Sequence, residues 1–140
     1  MRVRVHLGVV RVRTPGIGGF VEITGEVDGI VAASGVRDGI ALVRSRHTTA
    51  AVTCNEPDPR LHRDMIDAVN ATFPPDRRYR HIEEGAVNAV AHLATSMLFG
   101  ESTWVAVRGG RIDVGTWQHL YVVELYEART REVDVAVLGE

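Results

Sequence analysis

Apolar and polar residues alternate near the start of the chain. Val3, Val5, Leu7 and Val9 share one parity against Arg2, Arg4 and His6, and this period of two predicts a strand. The parity then changes, with Val10 and Val12 apolar against Arg11 and Arg13. A one-residue slip of this kind predicts a bulge or bend at Gly8, or two short strands. Thr14-Pro15-Gly16-Ile17-Gly18-Gly19 reads as a turn-rich loop, and Val21 to Ile23 as a short strand. Thr24 is a candidate N-cap for a helix in which Val27, Ile30 and Val31 recur at helical spacing and which stops at Gly35. Gly39 to Ser45 reads as a strand. The small and β-branched run Ala50 to Thr53 predicts another, with a buried middle.

Asp58-Pro59 marks a helix start, because Asp caps free N–H groups and Pro is tolerated at the first helical position. Leu61, Met65, Val69 and Phe73 form its apolar stripe, and Pro74-Pro75 ends it. A second helix is predicted from about Glu84 to Phe99, closed by Gly100. It carries Val87, Val90, Ala91, Ala94 and Leu98, and places Glu84, Asn88 and His92 on one side. Thr103 to Val107, Gly109-Gly110 and Arg111 to Val114 predict a hairpin. Leu120 to Tyr126 is β-prone and shares one face with Glu124, for which Arg129 and Arg131 are candidate partners. Val133, Val135 and Val137 alternate in a last strand. Strands flanking two to three helices, with hairpin-compatible connections, predict an α+β fold in one domain, 1–140, with a mixed or antiparallel sheet.

The 140 residues are enough for one real core. A net charge of -2 argues against a nucleic-acid surface as the main business. The single cysteine, Cys54, excludes an internal disulfide framework and suits a reducing compartment. No window approaches eighteen apolar residues, so no membrane partner is expected and the cytoplasm is the expected location.

The chemistry-bearing residues scatter over several elements. His47 enters the buried strand, and Asn55 and Glu56 leave it. His81 lies in a polar loop, and His92 on the second helix one turn after Asn88. Three imidazoles on separate elements could converge on a divalent metal or serve acid–base chemistry. Cys54 has small apolar neighbours and no basic neighbour, which favours an inert thiol. In Gly115-Thr116-Trp117-Gln118 the tryptophan could wall a pocket and the amide could hydrogen-bond within it.

The run His47-Thr48-Thr49-Ala50-Ala51-Val52-Thr53 with Asn55-Glu56 resembles the YjbQ family. Tyr79 and His81, Asn88-Ala89, Ala91-His92 and Gly115-Thr116-Trp117-Gln118 recur in the family's order, over nearly the whole chain. The resemblance implies a small α+β homotrimer with sites near subunit boundaries. It also implies a secondary thiamine-phosphate synthase, which joins a pyrimidine-methyl diphosphate to a thiazole phosphate and releases pyrophosphate. His47, His81, His92 and Glu56 would be the catalytic residues, with the three histidines as metal ligands. Thr48, Asn55, Asn88, Trp117, Gln118 and Arg129 would hold a phosphorylated small-molecule substrate. The implied cofactor is a divalent ion, Mg²⁺ or Zn²⁺. Hard Mg²⁺ prefers oxygen ligands such as Glu56 or Asp58, which is in tension with a three-histidine site. A metal-assisted hydrolase or other phosphate-ester enzyme, and a non-catalytic trimer binding a metabolite or metal, are the competing expectations. The chain departs from the family pattern at Tyr126-Glu127-Ala128-Arg129, where a Gly-Pro-Arg turn is frequent. It departs again at Ala94, where a lysine is common.

Overall fold

The structure is a computed structural model and describes residues 2–140. Among the described residues, eight strands and three helices follow in the order β1 (Arg4–Arg13), β2 (Phe20–Glu22), α1 (Thr24–Ser34), β3 (Gly39–Ser45), β4 (Ala50–Asn55), α2 (Pro59–Thr72), α3 (Ala86–Ala94), β5 (Ser102–Arg108), β6 (Arg111–Asp113), β7 (His119–Glu124) and β8 (Thr130–Gly139). A π turn, Thr95–Phe99, extends α3. The strands form a five-stranded sheet, β1-β8-β3-β5-β6, and a three-stranded sheet, β2-β7-β4. Every pairing is antiparallel, so the α+β expectation holds with its antiparallel form.

Alternation along the strands builds two cores. Val10, Val43, Val105, Val133, Val135 and Val137 of the larger sheet face Ala50, Val52, Leu120 and Val122 of the smaller one, and α1 contributes Val27 and Val31 to the same core. The opposite parity of the smaller sheet, Ala51 and Val123, packs on Val69 of α2 and on Val90, Ala91 and Ala94 of α3. The result is a sheet-on-sheet layer backed by two helices.

Several local expectations are corrected. No bulge interrupts β1: it pairs with β8 residue for residue, from Arg4 opposite Gly139 to Arg13 opposite Thr130. The apolar parity Val5, Leu7 and Val9 lies on the outer face, Leu7 at 75% exposure, while Val10 turns into the core. Gly8 sits beneath Ile30 of α1, where an added Cβ would lie 2.8 Å from Ile30 Cγ2, so close helix–strand approach explains it. Thr24 does not cap α1. Its hydroxyl accepts the Leu120 N–H instead and ties α1 to β7. On α2 only Val69 is fully buried, and the packed stripe is Ile66, Val69 and Phe73 rather than Leu61 and Met65. Asp58 caps this helix as expected, accepting the Arg60 N–H at 2.9 Å. Glu84 falls before α3, whose N-cap is Gly85, so it shares no helical side with Asn88 and His92.

Glu124 ends β7 on the core parity and is fully buried, as is Arg131 at the start of β8. Arg131 donates from Nε to Glu124 Oε1 at 2.7 Å and from Nη2 to Oε2 at 2.5 Å. Glu124 also accepts from the Thr14 hydroxyl and from the Tyr126 N–H, and Arg131 donates to Thr49 Oγ1. Burial works to raise the Glu124 pKa, but the Arg131, Thr14 and Tyr126 donors outweigh it and hold the carboxyl below its ordinary value.

Removing one partner strands a buried charge. Arg131→Met and Glu124→Gln are each expected to lose about 3–5 kcal/mol in urea unfolding, with the paired replacement Glu124→Leu/Arg131→Met recovering part of it. Because the folded pKa of Glu124 is depressed, its stabilisation is present above the ordinary carboxylate pKa and is lost as pH falls through the folded value. Unfolding free energy measured between pH 6 and 3 should therefore fall less steeply in Glu124→Gln than in the wild type.

Candidate functional site

The turn between β3 and β4 is pinned at several points. Ser45 Oγ donates to Ala50 O at 2.8 Å and accepts the His47 N–H at 3.2 Å, closing the turn on itself. The Glu132 N–H, next to Arg131, donates to His47 Nε2 at 2.9 Å. An N–H can only donate, so this nitrogen keeps its lone pair and the neutral ring carries its proton on Nδ1. Burial and the neighbouring Arg131 charge push the His47 pKa below the usual histidine value. His47 and Thr48 line a small cleft together with Thr95 and Ser96 of the π turn.

His81 and His92 meet elsewhere. Their rings sit edge to face with centroids 4.8 Å apart. They line a broad cleft of about 840 Å³ whose other walls are Arg77, Arg78 and Arg80, with apolar surface from Phe73, Tyr79, Leu93 and Met97. The loop is held in shape by the Tyr79 hydroxyl, which donates to Pro74 O at 2.8 Å, and the Arg77 guanidinium lies 5.6 Å from the Tyr79 ring centre. No carboxylate lines this cleft among the described residues, although Glu83 stands 3.8 Å from His81 Nδ1.

The remaining expected residues are spread out. Asn55 and Glu56 leave β4 at the end opposite His47, and six strand residues span about 20 Å, so the two ends of this stretch form no common site within one chain. Both are exposed; Asn55 Oδ1 accepts the Glu56 N–H, and Glu56 O accepts from His62, whose ring stacks on Phe20. Asn88 is buried in α3 at 3% exposure, and its Oδ1 has no partner. Trp117 is 67% exposed, and Gln118 Oε1 accepts the Gly115 N–H rather than facing a cavity. Arg129 pairs with Glu127 and lies over the Tyr126 ring. Cys54 is half-buried with its thiol pKa raised by burial, in line with an inert role.

The sequence reading missed the arginines at 77, 78 and 80, although the run Asp76 to Arg80 announced a charged loop. It also missed Thr95, whose hydroxyl is buried and unpartnered, because no residue pattern marks a π turn. The expected three-histidine metal site does not form within one chain. Among the described residues no group of three or more His, Cys, Asp or Glu side chains is placed to hold a metal ion. His47 Nε2 is already engaged, and a cation at Nδ1 would need the proton moved onto that engaged nitrogen. The three histidines of one chain therefore do not fit the implied divalent ion.

Residues 9–140 match the family model described as UPF0047 protein YjbQ-like. A UPF0047 protein of Methanothermobacter thermautotrophicus is 39% identical over 123 residues, covering 86% of this chain and 83% of that protein. The YugU protein of Bacillus subtilis is 33% identical over 134 residues, covering 95% and 99%. Among solved structures, a YbjQ-like protein of unknown function from Sulfolobus solfataricus superposes with a TM-score of 0.90 at 33% identity, covering 99% of this chain and 100% of that one. These relatives are described without an activity, and the Sulfolobus protein as being of unknown function. The thiamine-phosphate synthase expected from the resemblance is thereby corrected: the relatives are described by family and fold, and none of these descriptions carries that reaction. With a family match over residues 9–140 and relatives above 30% identity along most of their length, the chain belongs to the UPF0047 YjbQ-like family.

Proposed function

We propose that the cleft at His81 and His92 binds a phosphorylated small molecule, and that the chain does so as an assembly of identical copies. The observation that carries this reading is the lining: three guanidiniums and two imidazoles, with no carboxylate among the described lining residues, around an apolar floor. Guanidiniums match phosphate oxygens in pairs, and imidazole N–H groups add further donors. Phe73, Tyr79 and Met97 supply a wall for an apolar or planar body next to the anionic group. A volume of about 840 Å³ suits a ligand of metabolite size. Like-charged side chains crowded on one loop are most stable with a counter-charge between them.

The assembly reading, a homotrimer in the form the resemblance implies, is supported by the outer face of β1. Val5, Leu7 and Val9 form an exposed apolar row on the larger sheet, with Ile40 of β3 also exposed. An apolar sheet face of this kind is characteristic of protein–protein contact.

Calorimetric titration with phenyl phosphate should show saturable binding that weakens with salt, while benzyl alcohol should show none. Arg78→Ala/Arg80→Ala should weaken phenyl phosphate by about tenfold or more, since hydrogen bonds to charged groups are worth about 1.5–3 kcal/mol. Indifference of the titration to both arginines would remove the reading. In sedimentation the wild type should run as a trimer and Leu7→Glu as a smaller species; a wild-type monomer would refute the assembly.

A further inference from the structure

The second cleft, between the β3–β4 turn and the π turn, encloses about 290 Å³. Its groups have unused donor capacity. His47 Nε2 accepts the Glu132 N–H, so the neutral ring must present its proton at Nδ1, which has no protein partner among the described residues. Thr95 lies at the junction of α3 and the π turn at 3% exposure, and its hydroxyl bonds to nothing. A helical Thr hydroxyl ordinarily returns to a carbonyl one turn back. Here the backbone changes register instead, with the Gly100 N–H reaching Thr95 O at 2.8 Å. Helical segments with such a π register occur often at functional sites.

Donor capacity decides the ligand class. Two guanidiniums, Arg44 and Arg46, line the cleft against one carboxylate, Glu101. Glu132 and Asp134 hold those guanidiniums from the sheet side, Arg46 to Glu132 at 3.1 Å and to Asp134 at 3.5 Å, and Arg44 to Asp134 at 3.6 Å. Each guanidinium has five N–H donors, more than these pairings use. The cleft thus offers donors on both walls and a single acceptor charge. We propose that it is a binding site for a small oxyanion, a carboxylate or phosphate group, held by His47 Nδ1–H and the Thr95 hydroxyl.

His47 is then a fixed neutral donor, oriented by the Glu132 backbone, and not a metal ligand. The proposal stands apart from the His81–His92 cleft, because neither its donors nor its lining is shared with it.

The test is a nuclear magnetic resonance titration with sodium phosphate and, separately, sodium acetate, each at ionic strength matched with sodium chloride. The wild type should show saturable shifts at Thr48, Ser96 and the His47 ring, with the ring in the Nδ1–H form. Thr95→Val keeps the side-chain shape and removes only an unpartnered hydroxyl, so it should fold normally and bind about tenfold more weakly. Arg78→Ala/Arg80→Ala should leave these shifts unchanged, which separates the two clefts. Tighter binding of phosphate would identify a phosphorylated ligand, and tighter acetate a carboxylate. No saturable shift with either anion, equal affinity in Thr95→Val, or a His47 ring protonated at Nε2 would each overturn the proposal.

Discussion

The ion pair between Arg131 and Glu124 joins what the rest of the fold keeps separate. Glu124 ends the central strand of the smaller sheet, and Arg131 begins the second strand of the larger one. Both point into the space between the sheets, where the valine layers give way to charge. Desolvating two charges is expensive, and a pair of this kind is tolerated only when its remaining donors and acceptors are met. Here they are met by the loop before β2, through Thr14, and by the β3–β4 turn, through Thr49. Two segments far apart in sequence are thereby fixed to one bidentate contact. The turn that carries His47 owes its placement to it, because the residue after Arg131 supplies the N–H that orients the imidazole.

Period-two and period-3.6 patterns carried most of the fold in the sequence. They located the helices and nearly all strands, because each of those elements buries one face. The pattern misled at Gly8 for a physical reason. A strand whose outer row is also apolar has no single hydrophobic parity, so Val5, Leu7 and Val9 followed by Val10 and Val12 read as a slip of register where the strand runs unbroken. Thr24 misled likewise: a hydroxyl at a helix start can cap the helix or serve a neighbouring strand, and only the tertiary position of β7 decides. Glu124 was legible as needing a partner, since an apolar strand does not bury a lone carboxylate, but spacing left Arg129 and Arg131 equivalent.

The candidate site was less legible. His81 and His92 stand close enough in sequence, on a loop and the helix after it, to meet without long-range help. His47 is brought to the π turn only by the packing of β4, and that packing carries it into a different cleft. Residue types singled out the histidines as candidates. They could not reveal that a backbone N–H removes one nitrogen from use, nor that three arginines would gather around the other two rings. Membership in the family supplies the fold, and the chemistry of each cleft has to be argued from its own donors.

The pairing of β1 with β8 bears on how the chain acquires its shape. Among the described residues, the first strand of the larger sheet has no partner other than a strand that begins 117 residues after it ends. At a synthesis rate of about 5–20 residues per second, β1 waits about 6–23 s on the ribosome before β8 exists. Throughout that interval its backbone is unpaired and its core-facing residues Val10 and Val12 are unburied, the condition under which nascent chains associate wrongly. The arginines at 2, 4, 11 and 13 sit on this strand and at its approach, where like charges disfavour edge-to-edge backbone pairing of two unfinished chains. The valine-rich strand is thus accompanied by its own protection during the period when the fold cannot yet shelter it.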